Sequence, residues 1–91
     1  MNDMNLNDIE NLILEKIIQV EFRKEKMALP ILYNDLDSVS SEIIDEYFFK
    51  LIDEGILKVH SFLHFWVSIS DEFKSTEKYK KIYELMKNNE Y

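Results

Sequence analysis

The chain has 91 residues, no cysteine, and 18 acids against 11 bases, for a formal net charge of −7. Without thiols there is no disulfide framework and no thiolate-held zinc, and the acidic balance runs against the basic surface of an ordinary nucleic-acid module. At 46% hydrophobic and 13% aromatic, with eleven isoleucines, the chain has enough apolar matter to fold as a single domain over 1–91 around one core.

The first ten residues, MNDMNLNDIE, lack the basic-then-apolar order of a signal peptide. No apolar run approaches the ~20 residues that span a bilayer. A soluble, cytoplasmic protein with no membrane contact is expected. A first helix is predicted from about Asp8 to Lys26, with Asn7 as N-cap and Glu10 completing a capping box. Ile9, Leu12, Ile13, Ile17 and Val20 share one face. Leu14, Ile18 and Phe22 form a second stripe roughly opposite, so this helix needs two neighbours.

Met27 to Leu29 reads as an extended link, because Leu29 precedes proline and is biased away from helix. Pro30 suits the first position of a short second helix ending at Leu36. Ser40 or Ser41 caps a third helix, with Glu42 and Asp45 near its positive end. Ile44, Phe48, Leu51 and Ile52 form the predicted buried arc. Gly55, the single glycine, ends that helix in a left-handed conformation. Ile56–His60 and Phe65–Ser70 alternate as two strands around the link Ser61-Phe62-Leu63-His64. Asp71 to Lys74 is a polar connector, and a last helix covers about Thr76 to Asn88.

The order helix, short helix, helix, glycine, two strands, helix resembles the winged helix-turn-helix superfamily over about Ile9 to Ile69. The block Phe48-Phe49-Lys50-Leu51-Ile52-Asp53-Glu54-Gly55-Ile56-Leu57 is similar to one in small bacterial regulators of the MarR and PadR type. The resemblance implies an α+β winged helix-turn-helix, a three-helix core plus β-hairpin wing over about 8–70, with an added C-terminal helix over about 76–88. It also implies a dimer that binds operator DNA, the third helix in the major groove and the wing on the backbone.

The residues depart from that mode. The far side of the third helix carries Glu42, Ile43, Glu46, Phe49, Lys50, Asp53 and Glu54. Affinity for DNA rests on cations that neutralise phosphate, and here Lys50 stands alone among acids. The wing tip offers Phe62 and Leu63 and no Arg or Lys. Apolar groups ringed by charge fit a protein partner. Glu42, Ile43, Glu46, Phe49, Lys50, Asp53, Phe62 and Leu63 are therefore the expected partner-binding set, facing a protein with a basic surface. A DNA-mimicking accessory or phage-type inhibitor is one version. The plain alternative for the acids is a solvated surface, and for Phe49 a place under the wing.

Bases collect at Arg23, Lys24 and Lys26, and along the last helix at Lys74, Lys78, Lys80, Lys81 and Lys87. Under the competing reading, a dimeric transcriptional regulator, Lys78, Lys80 and Lys81 would touch DNA. The last helix carries a stripe of Tyr79, Ile82, Tyr83 and Met86. It matches Leu14, Ile18 and Phe22, and the two stripes pack either within one chain or between two; a homodimer interface through these seven residues is expected. His60 and His64 flank the presumed wing tip, and with Asp71 or Glu72 they fit no established metal-ligand spacing. No phosphate loop, nucleophile elbow or metalloprotease motif occurs. No catalytic residue, metal or cofactor is assigned.

Overall fold

The computed structural model describes residues 6–90. Its first helix, α1 (Leu6–Phe22), is already helical at Leu6. Asn7 thus stands inside the first turn and not before it. The side chain of Asn7, and with it the expected capping box, lies outside the described residues. The helix stops at Phe22, short of the expected Lys26. Lys24 takes a left-handed φ of 62°. Its N–H donates to the Glu21 carbonyl, and the N–H of Glu25 donates to that of Val20, both at 2.9 Å. These two bonds are the Schellman pair that closes a helix end, here built without glycine.

The reversed chain runs into β1 (Met27–Ala28), where the sequence suggested only a link. Both residues are buried. They pair antiparallel with β3 (Trp66–Ile69), Met27 opposite Val67 and Ala28 opposite Trp66. The second helix, α2 (Leu29–Asp35), begins at Leu29 despite the following proline. Tertiary contacts override the local bias: Leu29 is buried, and its N–H donates to the His64 carbonyl at 3.1 Å.

Helix α3 (Ser41–Asp53) follows the sequence closely. Ser40 is its N-cap and accepts from the Ile43 N–H. Its end repeats the α1 motif, with Ile56 N–H to Leu51 and Gly55 N–H to Ile52, and Gly55 at φ 79°. The buried arc is Ile44, Tyr47, Phe48 and Leu51. Tyr47 joins it and Ile52 lies only partly buried at its margin.

β2 (Leu57–Ser61) pairs antiparallel with β3, so the sheet runs β1-β3-β2. Leu57, Val59, Val67 and Ile69 turn inward, as the alternation predicts. The expected polar connector is instead a short helix, α4 (Asp71–Lys74), capped by Ser70, because Phe73 drops into the core. Helix α5 (Glu77–Glu90) completes the chain.

Helix α1 is the central pillar, with Ile13, Leu14 and Ile17 fully buried. It touches α3 and α5 among its neighbours. Its second stripe is covered by α5 of the same chain. Leu14, Ile18, Ile82 and Met86 are buried, Phe22, Tyr79 and Tyr83 are partly buried, and Phe22 meets Tyr83 edge-on at 5.8 Å. The seven residues expected between two chains thus pack within one, four of them in its core and three partly buried against it. Among the described residues the architecture is α+β, five helices and a three-stranded antiparallel sheet. It is compatible with a winged-helix arrangement, and no helix in it is long and apolar enough to cross a membrane.

Candidate functional site

The far side of α3 is open along its length. Glu42, Glu46, Lys50 and Asp53 are exposed, and Ile43 and Phe49 remain 37% and 40% accessible. At the tip of the β2–β3 hairpin Phe62 and Leu63 stand out at 76% and 70%. These eight residues are the expected partner-binding set, and every one of them faces solvent.

Phe65 joins the two halves. It meets Phe49 edge-on at 5.0 Å, Phe48 at 6.3 Å and Phe62 at 5.9 Å. Phe48, fully buried, meets Phe49 at 5.4 Å. A relay of phenyl rings therefore runs from the core through α3 to the tip of the β2–β3 hairpin, in the edge-to-face geometry that ring quadrupoles favour. Phe49 both packs against Phe65 and stays accessible.

The backbone that sets this up is strained. His64 and Phe65 take consecutive left-handed φ values of 62° and 52°, a costly conformation for a bulky side chain. The tip is pinned by the Leu63 N–H to the Ser61 hydroxyl and by His64's carbonyl on Leu29. Sequence reading placed Phe65 at the start of the second strand and gave it no part in the site. The string Ser61 to Phe65 holds no Gly or Asn to signal a left-handed turn, and His64 is its one weak signal.

Charge around the relay is one-sided. Phe49 has Glu46 one turn before it and Asp53 one turn after it, spacings that make neighbours on a helix surface. Among the described residues Glu42, Glu46, Asp53 and Glu54 make no ion pair. Asp45, by contrast, is held by the Tyr33 hydroxyl, which ties α3 to α2. Burial first, then this bond and the carboxylate's charge, push the Tyr33 hydroxyl up to about 12. Lys50, the one cation of α3, lies over the Tyr47 ring at 5.7 Å.

The residues of the competing reading lie on another element. Lys78 pairs with Glu10 at 3.6 Å, while Lys80 and Lys81 are exposed on α5. His60 bonds Ser68 at 2.6 Å, and among the described residues no three candidate ligands converge on a metal position.

The chain matches no protein-family model, and comparisons with curated proteins and with solved structures likewise find no match.

Proposed function

We propose that the chain is an acidic winged-helix protein that acts through protein contacts, presenting the α3 and wing surface to a partner with a basic face. The observation that carries this reading is the phenyl relay, which ends in accessible Phe62 and in accessible Phe49, the latter set between the exposed carboxylates of Glu46 and Asp53. Aromatic anchors at the middle of a patch supply most of the energy of a protein interface. The surrounding carboxylates supply steering and partner choice. The same carboxylates oppose phosphate, so the surface is ill suited to a DNA groove. A surface that imitates DNA toward a DNA-binding protein is the sharper form of the reading.

The test is binding to an immobilised basic amphipathic helical peptide at moderate salt. Phe49→Ala and Glu46→Lys each weaken capture by about tenfold, the scale of an anchor worth about 1.4 kcal/mol, with unchanged circular dichroism. Full retention of binding by both variants would overturn the assignment of this surface.

The competing reading, a dimeric regulator that binds DNA, has the exposed Lys80 and Lys81 in its favour. Under it, Lys80→Glu combined with Lys81→Glu weakens DNA binding and flattens its salt dependence.

A further inference from the structure

The sheet face turned away from the core holds a second site, independent of the α3 surface. Residues paired across an antiparallel ladder share a face, and successive residues alternate. Val67 points into the core opposite Met27, so Trp66 and Ser68 point outward. A bulge between Val59 and Ser61 breaks the β2 register. It lets the sequence neighbours His60 and Ser61 line the same outer space. The helix-ending turn after α1 delivers Glu25 and Lys26 to its rim. The result is a pocket of about 430 Å³, within the range that takes a small molecule.

Its polar groups are arranged for a cation. Glu21 is fixed in place, since its Oε2 accepts from the Ile69 N–H at 2.6 Å and its Oε1 lies 3.7 Å from the Lys74 Nζ. Glu25 is exposed and makes no ion pair among the described residues. The Lys26 Nζ stands 5.5 Å from the centre of the Trp66 ring, and it too makes no ion pair among those residues. An ammonium therefore already rests on the indole face, supplied by the chain itself. Lys26 is exposed on a four-carbon stem and can swing away at small cost. Once vacated, the indole shares the pocket with the Glu25 carboxylate, which makes no ion pair among the described residues, and with Glu21, already paired with Lys74. An aromatic face with a carboxylate in the same pocket is the combination that holds an organic ammonium. An anionic ligand would meet Glu21 and Glu25 instead.

We infer that this pocket binds a small organic cation, an alkylammonium or quaternary ammonium ion, which takes the place of Lys26 on Trp66. Trp66 is the only tryptophan of the chain, so its fluorescence reports occupancy directly. The probe is tetramethylammonium chloride titrated into the full chain at constant ionic strength, against sodium chloride and against tert-butanol, a neutral molecule of similar shape. The expected result is a saturable change in Trp66 emission with tetramethylammonium alone. Lys26→Ala removes the internal competitor and tightens binding by about threefold, while Glu25→Gln weakens it by a similar factor. Both side chains are exposed, so both variants keep the fold, checked by circular dichroism. An equal response to tert-butanol, weaker binding by Lys26→Ala, or no saturable response in either the parent or Lys26→Ala overturns the inference.

Discussion

Lys24 and Gly55 occupy the same place in two copies of one helix ending, and only one of them is suited to it. Both are left-handed, at φ 62° and 79°. Glycine takes this conformation freely, and other L-residues pay about 1–2 kcal/mol. A methyl group on Gly55 would meet nothing within 4 Å, so the cost of Gly55→Ala is the backbone term alone. Denaturant unfolding should show Gly55→Ala less stable by about 1 kcal/mol and Lys24→Gly more stable by about the same. Opposite signs would mean that the two ends are not the same motif. Tyr33 makes a second prediction at this scale. Its hydroxyl is held protonated up to about 12, by burial first and then by Asp45. An unfolded tyrosine loses its proton near pH ~10. The bond's contribution to stability is therefore complete below that pH and disappears as pH rises toward the folded value. Tyrosinate absorbance should show a late-ionising component from Tyr33, with Tyr79 also late through its own burial. Asp45→Asn should bring Tyr33 earlier; an unchanged titration in that variant would remove Asp45 as a cause.

At the scale of elements, legibility followed length and local signal. Helix α3 was readable end to end, because Ser40 and Gly55 mark its limits chemically. The hairpin strands were readable from alternation. The two-residue β1 and the four-residue α4 were not, since each is too short to show a period and each exists because of a tertiary contact: Met27 and Ala28 on β3, Phe73 in the core. The tip of the β2–β3 hairpin was hidden for another reason, its two left-handed residues being His64 and Phe65 and not glycine. Of the candidate surface, the eight exposed residues were legible from the far side of α3 and the apolar tip. Phe65, which unites them, was not. The amphipathic stripes of α1 and α5 were legible as partners, but sequence alone left open whether they meet within a chain. With Ile82 8% exposed and Tyr83 stacked on Tyr79 at 5.9 Å beside Phe22, Ile82→Ala should cost about 2–4 kcal/mol. That loss should be the same at low and high protein concentration. A loss that grows on dilution would place the stripe between chains.

For the whole molecule, fold and charge point in different directions. The helix that a winged-helix resemblance would send into a DNA groove carries exposed carboxylates around accessible Phe49, and the net charge is −7. The exposed lysines Lys80 and Lys81 stand on α5, among Glu77 and Glu84. Long-range steering would therefore draw a basic partner and repel a polyanion, most strongly at low salt. The most direct measurement is fluorescence anisotropy of a labelled random-sequence duplex DNA titrated with the chain at about 50 mM salt, where phosphate electrostatics alone give any DNA reader measurable affinity. The account predicts no binding at tens of micromolar. Binding that weakens steeply as salt is added would contradict it and return the lysines of α5 to the centre of the function.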